Sequence, residues 1–242
     1  MNSQEQDQTY KRALDNYSST EPWPDHDEWH FQTNRILSSK VQQLLDQYCS
    51  EQKVILNAGC GKTTYHTSSK VIYMDIVKEY VQDFPDHIVA SVENIPLPDA
   101  SVDGIICVGS VANYVDIQKT ISEFSRILKK GGILILEFER SSSAEFLLTA
   151  KYGKTVFRQE YAYNNQKHLL WMYRENFIRE LCDYYHLKCI RKYRFHIFSS
   201  LLYRLGINEK KAAKYCVWDN ILQPVGYLFA HNTILLIKKT IP

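Results

Sequence analysis

The sequence predicts an α/β fold with an open, doubly wound and mostly parallel sheet, and three observations carry that prediction. Val54 to Gly61 reads VILNAGCG, apolar strand formers running into a turn that small residues permit. Lys70 to Ile76 reads KVIYMDI, a second strand that closes on Asp75, eighteen residues after Asn57. Downstream, apolar strand-like runs alternate with amphipathic stretches, the pattern of parallel βαβ units. A glycine turn brings bare backbone close to a ligand, and an acid ending the next strand suits ribose hydroxyls. This end of the sheet is therefore expected to hold a nucleoside.

Residues 1 to about 20 are polar and read as a partly mobile segment. Glu21 to His30 (EPWPDHDEWH) sets two tryptophans and two histidines among acids, and its prolines oppose a helix before about Asp25. From Phe31 to Tyr48 the residues Ile36, Leu37, Val41, Leu44, Leu45 and Tyr48 recur at helical spacing, which predicts a helix covering the sheet. The segment after Gly61, KTTYHTSSK, is too short and too rich in β-branched and polar residues for a long helix. The first crossover is expected as a loop or single turn. Lys78 to Asp83 reads as a short helix and Ile88 to Ser91 as a strand; Asp103 to Val108 is a central strand, apolar on both faces. Val115 to Lys130 is an amphipathic helix ended by Gly131 and Gly132, and Ile133 to Phe138 is the fifth strand.

Beyond residue 140 the pattern loosens. Ala144 to Ala150 is a candidate helix, Thr155 to Leu170 a hairpin or irregular insert, and Arg174 to Tyr185 a helix. Leu187 to Phe198 and Thr233 to Lys239 read as the last two strands. The excursion 199–232 between them carries Tyr203, Leu205, Tyr215, Trp218, Leu222, Tyr227 and Phe229, too apolar for a free linker. The organisation read from this is an N-terminal cap (1–50), a binding core (51–140), and an acceptor-side insert with the last two strands (141–242) completing the same domain.

With 242 residues and 45% apolar content the chain can bury a full core. Its net charge is only +2, but residues 151–242 hold 16 Lys+Arg against 6 Asp+Glu, and residues 1–150 hold 13 against 21. Such asymmetry marks either solvated basic faces or a meeting with an acidic substrate, nucleic acid or anionic membrane surface. The six cysteines form no Cys-x-x-Cys pair and no zinc-spaced cluster, so no metal is expected. The polar N-terminus and the lack of a long apolar window predict no membrane span and a cytoplasmic setting.

Three further stretches complete a pattern: SVENIPLPD (Ser91 to Asp99), DGIICV (Asp103 to Val108) and LKKGGILILEF (Leu128 to Phe138). Together with the glycine turn and Asp75, over roughly residues 50 to 140, the chain resembles the class I, Rossmann-like S-adenosylmethionine-dependent methyltransferases, in the subset with a short first crossover. The resemblance implies a final strand inserted antiparallel beside the fifth and S-adenosylmethionine as cofactor. It places Asn57, Ala58, Gly59, Cys60 and Gly61 along the methionine part, with the Gly59 carbonyl toward the ammonium. Asp75, with Ile76 beside it, meets the ribose; Ser91, Val92 and Glu93 meet the adenine; Val108 and Gly109 lie beneath the sulfonium. Asn57, Thr63 and Ser91 depart from the commoner acidic, glycine and acidic residues at those positions. N-terminal segments of such enzymes often close over the pocket, a place assigned here to Trp23, Trp29 and His30.

The acceptor is far less legible. A hydroxyl acceptor wants a base, for which His30 and His168 are the candidates, each with an ordinary packing role as the alternative. Glu139, at the end of the fifth strand, either faces the same edge of the sheet or begins a loop. Tyr161, Tyr163, Trp171 and Tyr173 either line an acceptor pocket or belong to the core. The reading that follows is methyl transfer to a small-molecule or glycan acceptor, oxygen favoured over nitrogen, with an anionic acceptor favoured by the basic C-terminal part. A non-catalytic module that binds the cofactor and an RNA methyltransferase are the alternatives, nucleic acid being the less favoured partner. A nicotinamide oxidoreductase is disfavoured because Gly-Cys-Gly-Lys-Thr lacks the Gly-x-x-Gly spacing and a following helix.

Overall fold

The computed structural model of the chain describes residues 3–18, 27–49, 53–163 and 166–241. Helices α1 (Ser3–Tyr17) and α2 (Glu28–Tyr48) precede β1 (Val54–Ala58) and β2 (Lys70–Asp75). After them come α3 (Lys78–Val81), β3 (His87–Val89), β4 (Val102–Cys107), α4 (Ile117–Ile127) and β5 (Leu128–Glu139). A hairpin of β6 (Val156–Tyr163) and β7 (Gln166–Tyr173) leads to α5 (Glu175–Tyr184) and β8 (Leu187–Phe195). Four short helices follow, α6 (Ile197–Arg204), α7 (Glu209–Ala213), α8 (Asp219–Leu222) and α9 (Gly226–Phe229), before β9 (Asn232–Lys239).

Seven strands form one sheet in the order β3-β2-β1-β4-β5-β9-β8, in which β9 alone runs against its neighbours. The expected insertion of the last strand beside the fifth is therefore present. Strand order reverses between β1 and β4, and a crevice opens at their carboxyl ends. Both sheet faces are covered, which is why β1, β4 and β5 are apolar on both sides. Leu37, Val41 and Leu45 of α2 pack with Ile55, Ile106, Ile135 and Leu236 on one face. Ile117, Ile121, Phe124 and Ile127 of α4 pack with Leu56, Ile105, Leu134 and Leu235 on the other.

Several boundaries differ from the sequence reading for visible reasons. The segment expected to be partly mobile includes α1, whose Ala13, Thr9 and Asn16 are buried, with Asn16 Nδ2 donating to the Lys167 carbonyl at 3.0 Å. Helix α4 ends at Ile127, short of the glycine pair, because Leu128 already pairs with Val102. The chain then bulges through Gly131, whose φ of +78° suits glycine, before the ladder resumes at Ile133. Strand β8 stops at Phe195 rather than Phe198. His196 turns with φ +51°, and the buried Asp219 carboxylate accepts the His196 and Ile197 N–H groups at 2.6 and 3.0 Å. The candidate helix after Ala144 is a 3₁₀ turn, Ala144–Phe146.

A buried ionic cluster ties the excursion to the sheet. Arg140 donates to the carbonyls of Gly226, Ala230 and Tyr227 at 2.9, 3.1 and 2.7 Å, and its Nε lies 3.6 Å from Glu175. Arg194 grips the same Glu175 carboxylate with two bonds of 2.7 and 2.6 Å. The two cations lower the Glu175 carboxyl against the upward push of its burial.

Candidate active site at the carboxyl ends of the parallel strands

One crevice runs from the glycine turn after β1 to the end of β5. At the first end, Gly59 and Gly61 take φ values of +66° and +53°, as the tight turn requires. A Cβ built on Gly59 would lie 2.5 Å from Val111 Cγ2, so only glycine fits there. The loop that replaces a crossover helix is held from within. Gly59 and Cys60 N–H donate to the Met74 carbonyl at 2.7 and 3.1 Å, and Asn57 Nδ2 donates to the Thr63 carbonyl at 3.0 Å. The Asp75 oxygens accept the Gly61 and Val77 N–H groups at 2.8 and 3.0 Å, which fixes the carboxylate while leaving each oxygen a further lone pair. Burial raises the Asp75 carboxyl, and these backbone donors oppose the shift.

The loop after β4 is set by β5. Gly109 and Ser110 both have positive φ, +82° and +59°, so their successive N–H groups form a small anion-holding nest. Glu137 fills it from behind, accepting from them at 2.9 and 2.7 Å and from Asn232 Nδ2 at 2.8 Å. Burial pushes the Glu137 carboxyl up to about 7. The nest therefore faces inward, where it positions the loop.

At the far end, Glu139 lines the crevice and continues into a buried chain of polar groups. Ser110 Oγ donates to Glu139 Oε1 at 2.8 Å, and His231 Nε2 lies 3.3 Å from Glu139 Oε2. His231 Nδ1 lies 3.4 Å from Glu145 Oε2, and the Tyr161 hydroxyl donates to Glu145 Oε1. Burial alone would lower the His231 imidazole, but Glu145 and Glu139 raise it to about 9. Burial would likewise raise Glu139, but His231 brings its carboxyl below the ordinary value. Tyr17, Trp29, His30, Tyr80 and Tyr114 supply aromatic walls to the crevice. The Tyr17 and Tyr114 hydroxyls meet at 3.1 Å. Trp29 stacks on His196 at 4.1 Å between ring centres and meets His231 edge-on at 5.7 Å, which docks the start of α2 on the excursion.

Of the residues singled out from sequence, Asn57, Gly59, Cys60, Gly61, Asp75, Ile76, Ser91, Val92, Val108, Gly109 and His30 line this crevice together. Ala58, Glu93 and His168 lie outside its lining. Ala58 is buried in β1; the Glu93 carboxylate accepts the Asp116 N–H at 2.7 Å; and His168 is buried in the hairpin with Nδ1 3.3 Å from the Tyr114 hydroxyl. His30 Nδ1 lies 3.2 Å from Asp27, the residue that caps α2. Trp23 falls outside the described residues, as does the side chain of Tyr163. Tyr161, Trp171 and Tyr173 pack against the core rather than the crevice. Cys60 touches the crevice, but burial pushes its thiol up to about 12, unsuited to a nucleophile. The expectation of an anionic acceptor finds no cation here, because among the described residues lining the crevice there is no Lys or Arg. Missed from sequence were Tyr17, Glu137 and His231; the signal for Glu137 was an acid inside the apolar run ILILEFE.

Comparison with known proteins agrees with this arrangement. Residues 56–136 match the family described as methyltransferase domain, from β1 through β5. The core of this chain thus resembles a class I methyltransferase domain. Its cofactor class is S-adenosylmethionine, and the turn, the buried Asp75 and the open crevice fit that group. A ubiquinone/menaquinone biosynthesis C-methyltransferase of Campylobacter jejuni is 36% identical over 81 residues, covering 32% of this chain and 33% of its own. A malonyl-[acyl-carrier protein] O-methyltransferase of Yersinia pestis is 35% identical over 99 residues, covering 34% and 35%. The match thus spans about a third of these relatives' length. The whole methyltransferase fold extends much further. The 1,6-didemethyltoxoflavin-N1-methyltransferase of Burkholderia thailandensis, solved with S-adenosylhomocysteine, superposes over 98% of this chain and 87% of its own at a TM-score of 0.53 and 14% identity.

Proposed function

We propose that the protein transfers the methyl group of S-adenosylmethionine to a small, uncharged and partly flat acceptor, through a hydroxyl or comparable protic atom. The observation that carries this reading is the continuous crevice joining Gly59 and Asp75 to Glu139, with aromatic walls and no lining cation among the described residues. When bound, S-adenosylmethionine supplies an electrophilic methyl group, so the protein's own task is to grip, orient, exclude water and manage one proton.

In this reading the backbone at Gly59 to Gly61 receives the methionine part, Asp75 the ribose diol, and Ser91 and Val92 the adenine. Asn57 is committed to the Thr63 carbonyl, so its amide serves the loop rather than an amine. Tyr17, Trp29 and Tyr114 seat the acceptor and keep water away. Glu139 takes the acceptor's proton at its carboxylate, replacing the assignment to His168. A hydroxyl proton becomes strongly acidic as its oxygen is alkylated, so a carboxylate with a lowered pKa still accepts it. His30 is retained as a wall residue at the lid.

Calorimetric titration with S-adenosylhomocysteine, run beside NAD, tests the donor side. Binding of the former alone, lost in Asp75→Ala, is the expected result; binding of NAD alone would overturn the reading. Labelled methyl transfer to a pool of small acceptors separates catalysis from a non-catalytic binding module, and transfer only to RNA would replace the acceptor class.

A further inference from the structure

The excursion between β8 and β9 is built inside out for a surface meeting only water. Its buried positions include small residues, Ala212, Ala213, Cys216, Gly226 and Ala230. Many of its large apolar side chains point outward, with Leu205 72%, Ile221 69%, Val217 61% and Trp218 51% exposed. Nine of the fifteen large apolar side chains exposed among the described residues fall in this stretch, so the exposure is concentrated rather than scattered. Leu148, 92% exposed, extends the patch: it follows Leu147, whose carbonyl accepts Arg204 Nε at 3.1 Å.

Charge in the same stretch is one-sided. The exposed charged residues are Arg204, Lys210, Lys211 and Lys214 against Glu209, because the other acid, Asp219, is fully buried while capping the turn at His196. Outward aromatics and aliphatics interleaved with cations, on short helices packed against one another, are what an interfacial surface presents to an anionic bilayer. Tryptophan and tyrosine favour the headgroup level, and lysine stems reach past them to phosphate.

We propose that α6 to α9 form a docking surface for the face of an anionic phospholipid membrane, peripheral and without any spanning segment. The patch adjoins the crevice: Tyr203 lies 6.3 Å, ring centre to ring centre, from Trp29 in its wall. A docked molecule would therefore bring the lid end of the crevice close to the bilayer, where an apolar acceptor is available. The excess of positive charge in the C-terminal part has a use in this arrangement beyond solvation.

The test is cosedimentation of the full chain with phosphatidylcholine vesicles, with and without about a third phosphatidylglycerol, at low and high salt. Wild type should bind the anionic vesicles, and binding should fall several-fold at high salt. Trp218→Ser/Ile221→Ser and Lys210→Glu/Lys211→Glu should each weaken partitioning by roughly tenfold or more, with unchanged melting and S-adenosylhomocysteine binding. Absence of binding to anionic vesicles at low salt, or binding by both variants undiminished from wild type, would overturn the proposal. So would a wild-type dimer abolished by Trp218→Ser/Ile221→Ser, which would assign the face to a second copy. None of these outcomes depends on methyl transfer.

Discussion

Glu139 Oε2 lies 3.3 Å from His231 Nε2, while Ser110 Oγ holds the other carboxylate oxygen at 2.8 Å. The pairing has a simple origin. Antiparallel register between β5 and β9 sets Glu139 opposite Asn232, and the Arg140 N–H donates to the His231 carbonyl at 2.8 Å. Two groups far apart in the chain are thus locked at the edge of the crevice.

If Glu139 receives the acceptor proton, Glu139→Gln should keep the volume and lose the base. We expect a fall in kcat of roughly a hundredfold or more, with S-adenosylhomocysteine affinity changed less than about threefold. A variant with unaltered kcat would remove Glu139 from the chemistry. Steady-state kinetics and calorimetry on the same preparation read both quantities.

The pH dependence of stability follows from His231. Its pKa is raised in the folded protein to about 9 from an ordinary 6.5, so the folded state holds a proton that the unfolded state gives up. The resulting stability is fully present below about pH 6.5 and is lost as pH rises through about 9. Glu137, raised to about 7, acts in the same direction over its own range, since its proton is also held more tightly in the fold. Chemical denaturation at pH 6.5 and 9 should differ by about 2 to 3 kcal/mol from His231, and His231→Gln should flatten that slope. An unchanged slope in the variant would show that the ion pairs at His231 do not set it.

The glycine turn should tolerate no side chain. Gly59→Ala meets two penalties at once, a φ of +66° and a Cβ 2.5 Å from Val111 Cγ2. A loss of about 2 to 3 kcal/mol in stability is expected, together with weaker S-adenosylhomocysteine binding. Trimming the neighbour in Gly59→Ala/Val111→Ala should recover only the steric part. Full recovery of stability and binding would mean that the backbone conformation carries little cost.

Arg194→Met should loosen the excursion more than the sheet. It leaves Glu175 buried with Arg140 3.6 Å away as its remaining close guanidinium, and breaking a buried pair from one side costs about 3 to 5 kcal/mol. Hydrogen exchange should show residues 197–230 opening first while β1, β4 and β5 stay protected. Uniform loss of protection would contradict a local role for this cluster.

The sheet and its binding end were largely legible in the residues. Apolar runs, the NAGCG turn and the strand-ending Asp75 are local features, and their spacing reflects backbone rules that act within a few residues. The short first crossover was legible for the same reason, since KTTYHTSSK offers no helical periodicity. Helix α1 was not. Its polar sequence gains order by burying Ala13 and Asn16 against distant chain, and propensity alone does not report such contacts.

By itself, then, the sequence determined the α/β class, the strand that carries the glycine turn and the acid expected to meet the ribose. Only the tertiary structure decided that Glu139, His231, Glu145 and Tyr161 form one buried chain, that His168 lies behind Tyr114 rather than in the crevice lining, and that many of the large side chains of the excursion face outward. The physical reason is range. Turn chemistry and periodicity are set between near neighbours, whereas a proton-holding cluster depends on which strand is inserted beside which, and in what register.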